Sequence, residues 1–176
     1  MTTDLVLTLL GPDRPGLVEA VADTIAAHGG NWLESRMAHL AGKFAGILRV
    51  EVPAQNTAPL MSALALLEGR GLRIVLEPAA GSGGAEPLQA MELELIGLDR
   101  PGLVREVSRL LAQQGINVEE LSTDRSSAPM SGDMMFRARA RLSVPASADL
   151  ARLRKDVERL AGDLMVEIRL AEPGRG

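Results

Sequence analysis

The chain has no cysteine and no tyrosine, and its aromatic residues are limited to Trp32, Phe44 and Phe136. Without cysteine there is no disulfide, no thiolate nucleophile and no cysteine-ligated zinc. Aromatics this few and this scattered cannot form the stacking platform that holds unpaired bases. Basic charge is thin as well: 19 Lys and Arg stand against 23 Asp and Glu, for a net charge of −4. The arginines are dispersed, so no basic stripe is available to neutralise phosphates, and direct nucleic-acid binding is not expected. Long apolar runs are missing too. The opening MTTDLVLTLLGP has an acidic residue where a signal peptide is basic, and no segment approaches a membrane span. A cytoplasmic location and no membrane association are expected.

Catalytic signatures are also absent. His28 and His39 fall in different predicted elements with no third ligand beside them, no serine stands in G-x-S-x-G, and no phosphate-cradling glycine motif opens a helix. Glu119 and Glu120 are neighbours in a predicted strand and so face opposite ways, which spoils them as an acid/base pair. No catalytic residue, metal ligand or cofactor is expected, and the protein reads as a non-enzyme.

What is present is a repeat. LTLLGPDRPGLV at Leu7–Val18 returns as LELIGLDRPGLV at Leu93–Val104. Gly11, Asp13, Arg14, Pro15, Gly16 and Asn31 recur as Gly97, Asp99, Arg100, Pro101, Gly102 and Asn117, a constant 86 positions on, as 97 is from 11. Self-similarity at a fixed period sets the architectural unit, here two copies of one small domain. Domains near the lower limit of size bury a modest fraction of their surface, so an oligomer, most simply a dimer, is expected.

Hydrophobic period and turn signals place the same elements in each copy. In the first, Thr3–Leu10 alternates as a strand with Leu5, Leu7 and Leu9 on one side. GPDRPG breaks it, and Leu17, Val18, Val21, Ala22 and Ile25 recur at helical spacing up to Gly29-Gly30. Asp13 is the expected N-cap, with Pro15 in the first turn. Trp32–Leu40 and Phe44–Val52 form a hairpin, Pro59–Glu68 a second helix and Leu72–Glu77 a last strand. The second copy follows with Met91–Ile96, a helix over Leu103–Leu111, a hairpin of Asn117–Asp124 and Asp133–Val144, a helix over Leu150–Leu160 and a strand over Leu164–Leu170. Its hairpin loop, Arg125–Gly132, is about six residues longer, judged from Pro53 against Pro145. Each copy therefore reads as βαββαβ, an α+β ferredoxin-like fold with two helices on one face of a four-stranded antiparallel sheet. The boundaries are 1–77 and 90–172, with 78–89, rich in Pro, Gly and Ala, as the linker.

The repeated segment is a strand-to-helix loop. Free N–H groups and the dipole at a helix mouth favour an anion, and glycine lets a ligand approach the backbone. A zwitterionic amino acid suits such a place, its carboxylate on the N–H groups and its ammonium on an Asp or Asn oxygen. Capping and turn chemistry explain the same residues equally well, and composition does not choose between the two.

On these residues, G-x-D-R-P-G-L-V, an apolar helix and then G-x-N on a βαββαβ frame, the chain resembles the ACT domain, a ligand-sensing module of amino-acid metabolism. The resemblance covers both halves. A pair of such domains with nothing attached is similar to the glycine cleavage system transcriptional repressor family. It implies regulation through contact with a DNA-binding transcriptional activator or a metabolic enzyme. It also implies that a small amino acid binds between two copies, at Gly11, Asp13, Arg14, Pro15, Gly16 and Asn31, and at Gly97, Asp99, Arg100, Pro101, Gly102 and Asn117. Some serine-binding members carry His and Asn where this chain has Gly11/Gly97 and Asp13/Asp99. A ligand-independent interaction scaffold is the alternative.

Two further patterns stand outside the repeat. Arg137, Arg139 and Arg141 alternate with apolar residues and should lie on the open sheet face opposite Glu92 and Glu94, as cross-strand ion pairs. Met130, Met134 and Met135 cluster at the longer hairpin, where filling of core or loop is the expected role.

Overall fold

The structure, a computed structural model, describes residues 1–80 and 86–174. The chain divides into two compact units, Met1–Ser82 and Gly83–Gly176. The middle of the predicted linker, 81–85, lies outside the described residues.

The first unit runs β1 (Thr2–Pro12), α1 (Leu17–Ala27), β2 (Asn31–Leu40), β3 (Lys43–Pro53), α2 (Thr57–Ala65) and β4 (Arg73–Pro78), with a 3-10 segment at Leu66–Arg70 between the last two. Its sheet has the order β2-β3-β1-β4, antiparallel throughout. Period-two alternation in β1 sends Leu5, Leu7 and Leu9 to the side where Val21 and Ile25 of α1 and Leu60 and Leu64 of α2 are buried. Each such burial contributes roughly 1.5–3 kcal/mol. The opposite sheet face carries no helix.

The second unit repeats this as β5 (Leu88–Leu98), α3 (Leu103–Gln113), β6 (Asn117–Ser127), β7 (Met134–Pro145), α4 (Leu150–Leu164) and β8 (Glu167–Ala171), in the order β6-β7-β5-β8. Met91, Leu93 and Leu95 pack there with Leu103, Val107, Leu111, Leu153 and Val157. Both edge strands β2 and β6 carry a bulge at the same place, between Trp32 and Glu34 and between Val118 and Glu120.

Several boundaries differ from expectation for local reasons. The start of the predicted loop Arg125–Gly132 is strand, since Ser127 still pairs with Met134, and the turn itself occupies 128–133 against 41–42 in the first unit. Helix α4 continues past Leu160 because Leu164 keeps the helical spacing of Val157 and Leu160. It turns at Met165, φ 52°, so the last strand starts at Glu167 and not at Leu164. Met130 is fully exposed and fills no core, while Met135 is half-buried. The β4 and β5 strands reach Pro78 and Leu88, taking both ends of the predicted linker into the sheets. Among the described residues, no helix is long and apolar enough to cross a membrane.

Candidate functional site: the paired helix-mouth loops

The two DRPG loops have nearly the same backbone. Gly16 and Gly102 take φ values of 86° and 97°, the left-handed region that glycine enters freely, as Pro-Gly turns require. These glycines, and not Asp13 and Asp99, occupy the N-cap positions of α1 and α3, and neither helix has a side-chain cap. The expected Asp13 cap fails because the turn at Pro15-Gly16 puts three residues between the aspartate and Leu17, and Pro15 lies outside the helix. By contrast, Asp149 caps α4 through the Arg152 N–H. The mouths of α1 and α3 thus have no capping side chain, their acidic groups being Glu19 and Glu106 within the first turn.

Other members of the motif are committed to the fold. The Arg14 guanidinium donates to the Arg70 carbonyl, and that of Arg100 to the Leu164 carbonyl at 2.9 Å. Each arginine thereby closes the C-terminal end of its unit's second helical segment, where a cation is favoured. Gly11 and Gly97 are buried where β1 and β5 pass close under the chain entering the last strand. A Cβ at Gly11 would lie 3.1 Å from Leu72 Cδ1 and 3.2 Å from the Gly71 carbonyl oxygen, and one at Gly97 would overlap the Val166 side chain. The aspartate N–H groups hook each loop to the neighbouring hairpin, Asp13 to the Gly42 carbonyl and Asp99 to that of Met134.

The aspartate side chains differ. Asp99 is held at 2.7 Å by Arg125 Nε from the lengthened β6. In the first unit His39 takes the matching place, opposite Phe44 as Arg125 is opposite Phe136. Asp13 is exposed, and among the described residues its side chain has no hydrogen bond or ion pair.

Asn31 and Asn117 are not near the loops of their own units. Asn31 pairs with Glu51 and so shares a row with Asp4, whereas Gly11 pairs with Phe44. Seven residues of β1, about 23 Å, separate the two rows. The same count separates Ala90, in the row of Asn117, from Gly97. One small molecule cannot touch loop and asparagine within a single unit.

On the open face of the second sheet, Glu94 lies 3.2 Å from Arg139 and 3.9 Å from Arg137, the expected cross-strand pairing. Arg141 stands opposite Glu92 in register but makes its ion pair with Glu120, at 3.5 Å. Glu92, Glu94, Glu120, Arg139, Arg141 and Arg169 line an open depression of about 570 Å³, away from the loop. On the corresponding face of the first unit Arg49 pairs with Asp4 and Glu34. The hydrogen bond to Asp4, then its charge, raises the Arg49 guanidinium above its ordinary value. Sequence reasoning missed the Arg14, Arg100 and Arg125 contacts, although the duplication of the first two was itself a signal.

Comparison with known proteins adds the family. Residues 3–72 and, separately, 89–167 match the ACT domain. The chain is similar to the glycine cleavage system transcriptional repressor of Escherichia coli (strain K12), with 25% identity over 162 residues covering 91% of this chain and 85% of that protein. Among solved structures, a protein of unknown function from Galdieria sulphuraria superposes with a TM-score of 0.84 at 29% identity, covering 99% and 100% of the two chains. A putative glycine cleavage system transcriptional repressor gives 0.70 at 22% identity, covering 98% and 99%. With both units matched and the βαββαβ topology present in each, the chain belongs to the ACT domain family, as a tandem pair.

Proposed function

We propose that this protein is a non-enzymatic, cytoplasmic regulator that binds a small amino acid at its helix-mouth loops and signals through protein contact, acting in transcriptional control of glycine cleavage or related amino-acid metabolism. Residues 1–77 and 90–172 are the two sensing units, and 78–89 joins them. The observation that carries this reading is the paired loop: two helix mouths of one geometry, each lacking an anionic cap. The similarity to the repressor supports a transcriptional activator as the partner, with a metabolic enzyme as the other class.

In this reading the first-turn N–H groups take the ligand carboxylate and Asp13 takes the ammonium. Asn31 or Asn117, about 23 Å from the loop of its own unit, would reach the ligand from another ACT copy in this reading. Gly11, Arg14, Pro15 and Gly16, with Gly97, Arg100, Pro101 and Gly102, shape the loop that the ligand approaches. The first loop is the stronger site, because Arg125 already neutralises Asp99. A ligand that favours one packing of the copies over another shifts the population between them.

A thermal-shift screen against the standard amino acids should show a concentration-dependent rise for at least one. Calorimetry with that amino acid should then find about tenfold or greater weakening in Asp13→Ala, from the loss of a charge-assisted hydrogen bond, and a smaller effect in Asp99→Ala. Undiminished binding in both, and in Asn31→Ala and Asn117→Ala, would sink the site. A flat screen would favour the ligand-independent scaffold, to which the structural duties of Gly11, Gly97, Arg14 and Arg100 already lend weight.

A further inference from the structure

The DRPG end of each sheet is built from equivalent positions that carry different residues. Where the first unit has Pro12, Gly42 and Gly71, the second has Leu98, Met134 and Met165. The equivalence follows from shared contacts: Asp13 and Asp99 donate to the carbonyls of Gly42 and Met134, and Arg14 and Arg100 to those of Arg70 and Leu164, the residues just before Gly71 and Met165. Leu98, Met134 and Met165 are 57%, 42% and 83% exposed, so their added size fills no core. Met165 also holds φ 52° where Gly71 has 82°. A bulky side chain is strained in that region, and its exposure gives no packing in return.

Charge changes together with size. Lys43, Arg70 and Arg73 of the first unit give way to Met135, Leu164 and Glu167, as the pairing of Pro12 with Lys43 and Leu10 with Arg73, against Leu98 with Met135 and Ile96 with Glu167, shows. Asp133 adjoins Met134, and Asp163 and Glu167 flank Met165. Asp133 and Asp163 have no side-chain hydrogen bond or ion pair among the described residues, and Glu167 has only an exposed pair with Arg169 at 3.6 Å. The arginines of this end are engaged: Arg125 on Asp99, Arg105 on Glu106, Arg137 near Glu94, and Arg100 on the Leu164 carbonyl. An apolar patch is thus bordered by carboxylates.

We infer that this end of the second unit docks a protein partner through an amphipathic helix whose apolar side is flanked by lysine or arginine. Methionine is flexible and polarisable, so it offers an adaptable surface to leucine and similar side chains. Met134, Leu98 and Met165 stand at or beside the ends of three adjacent strands, which span about 10 Å, the diameter of one helix. The carboxylates around them attract a basic segment and disfavour an acidic one. A second copy of the chain fits less well, because its basic DRPG end presents Pro12, Gly42 and Gly71 where the patch calls for apolar bulk. The inference rests on the protein contact of the proposed function, whose partner class it names, and makes no use of the ligand.

The test is calorimetry of the full-length chain with a peptide of about 14 leucines and lysines, the leucines at helical spacing over roughly four turns. Two controls accompany it, the same peptide with glutamate in place of lysine and one of the same composition in scrambled order. The first should bind and the controls should not. Met165→Gly should weaken binding about tenfold, and Met134→Ser together with it about hundredfold, the losses expected for one and two central apolar contacts. Met165→Gly relieves the left-handed position, so the denaturation midpoint should not fall. Reversing Asp133 and Asp163 to lysine should weaken binding about tenfold and flatten its salt dependence. Ile47→Glu, at an exposed apolar residue of the first unit, should leave binding unchanged.

No binding of the basic amphipathic peptide, equal binding of either control, indifference to Met165→Gly and Met134→Ser, or loss through Ile47→Glu would overturn the inference. A mass by light scattering that falls in the two methionine variants would overturn it as well, since a second copy of the chain would then cover the patch. Amino-acid binding measured by calorimetry reports separately on the ligand reading.

Discussion

The two units keep one topology and one loop, yet they differ in what surrounds that loop and in what their sheets show to solvent. In the first, Asp13 has no side-chain partner among the described residues, and the open sheet face has Ile47 and Val75 in the places of Arg139 and Arg169. In the second, Arg125 stands where the first has His39 and pairs with Asp99, and the open face is a lattice of Glu and Arg. After duplication the packing duties of the motif stayed in both copies, while an aspartate without a side-chain partner among the described residues belongs to the first alone. The repeated DRPG is therefore foremost a folding device, and function is read from the places where the copies differ.

The largest expected effect probes what the copies share. Gly97→Ala drives a methyl into Val166 and should cost about 2–3 kcal/mol, whereas Gly11→Ala meets Leu72 and a carbonyl only at the limit of contact and should cost about 1 kcal/mol. Chemical denaturation of each variant measures the difference, and equal losses would refute the tighter packing of the second copy. Next come Arg14→Ala and Arg100→Ala, each removing a cation from a helix C-terminus for about 0.3–1 kcal/mol. They should lower the thermal midpoint alike, since the tether is common to both units; a loss confined to one would break the equivalence. The smallest is Arg125→Ala. It releases Asp99 from an ion pair whose arginine is exposed, worth about 0.2–1 kcal/mol, a loss that should shrink at high salt. By calorimetry, it should also strengthen amino-acid binding at the second loop, making that copy behave like the first.

Much of this was legible in the sequence. The element order, the inward Leu5, Leu7 and Leu9, and the arginines placed opposite the first-strand glutamates all follow from period-two and period-3.6 spacing, which local sequence carries directly. What escaped was chemistry acting over distance. Arg14 reaches a carbonyl 56 residues on, and Arg100 one 64 residues on, which no window along the chain reveals. The cap was misassigned because Asp has the stronger cap preference in isolation, while Pro15-Gly16 dictates the turn. Asn31 enters through the repeat and the family resemblance, and the register shows that α1 carries the chain the length of the sheet between it and the loop of its own unit.

The arginine tethers also bear on the order of assembly. The helix mouth is among the first segments of each unit to be synthesised, but the carbonyl that anchors its arginine belongs to a helical segment made near the end. Until that segment docks, Arg14 or Arg100 has no acceptor and the loop lacks its brace. A unit cut before its last helix would keep the whole DRPG motif and still lack the finished mouth, so the earliest part of the domain to be made is among the last to be completed.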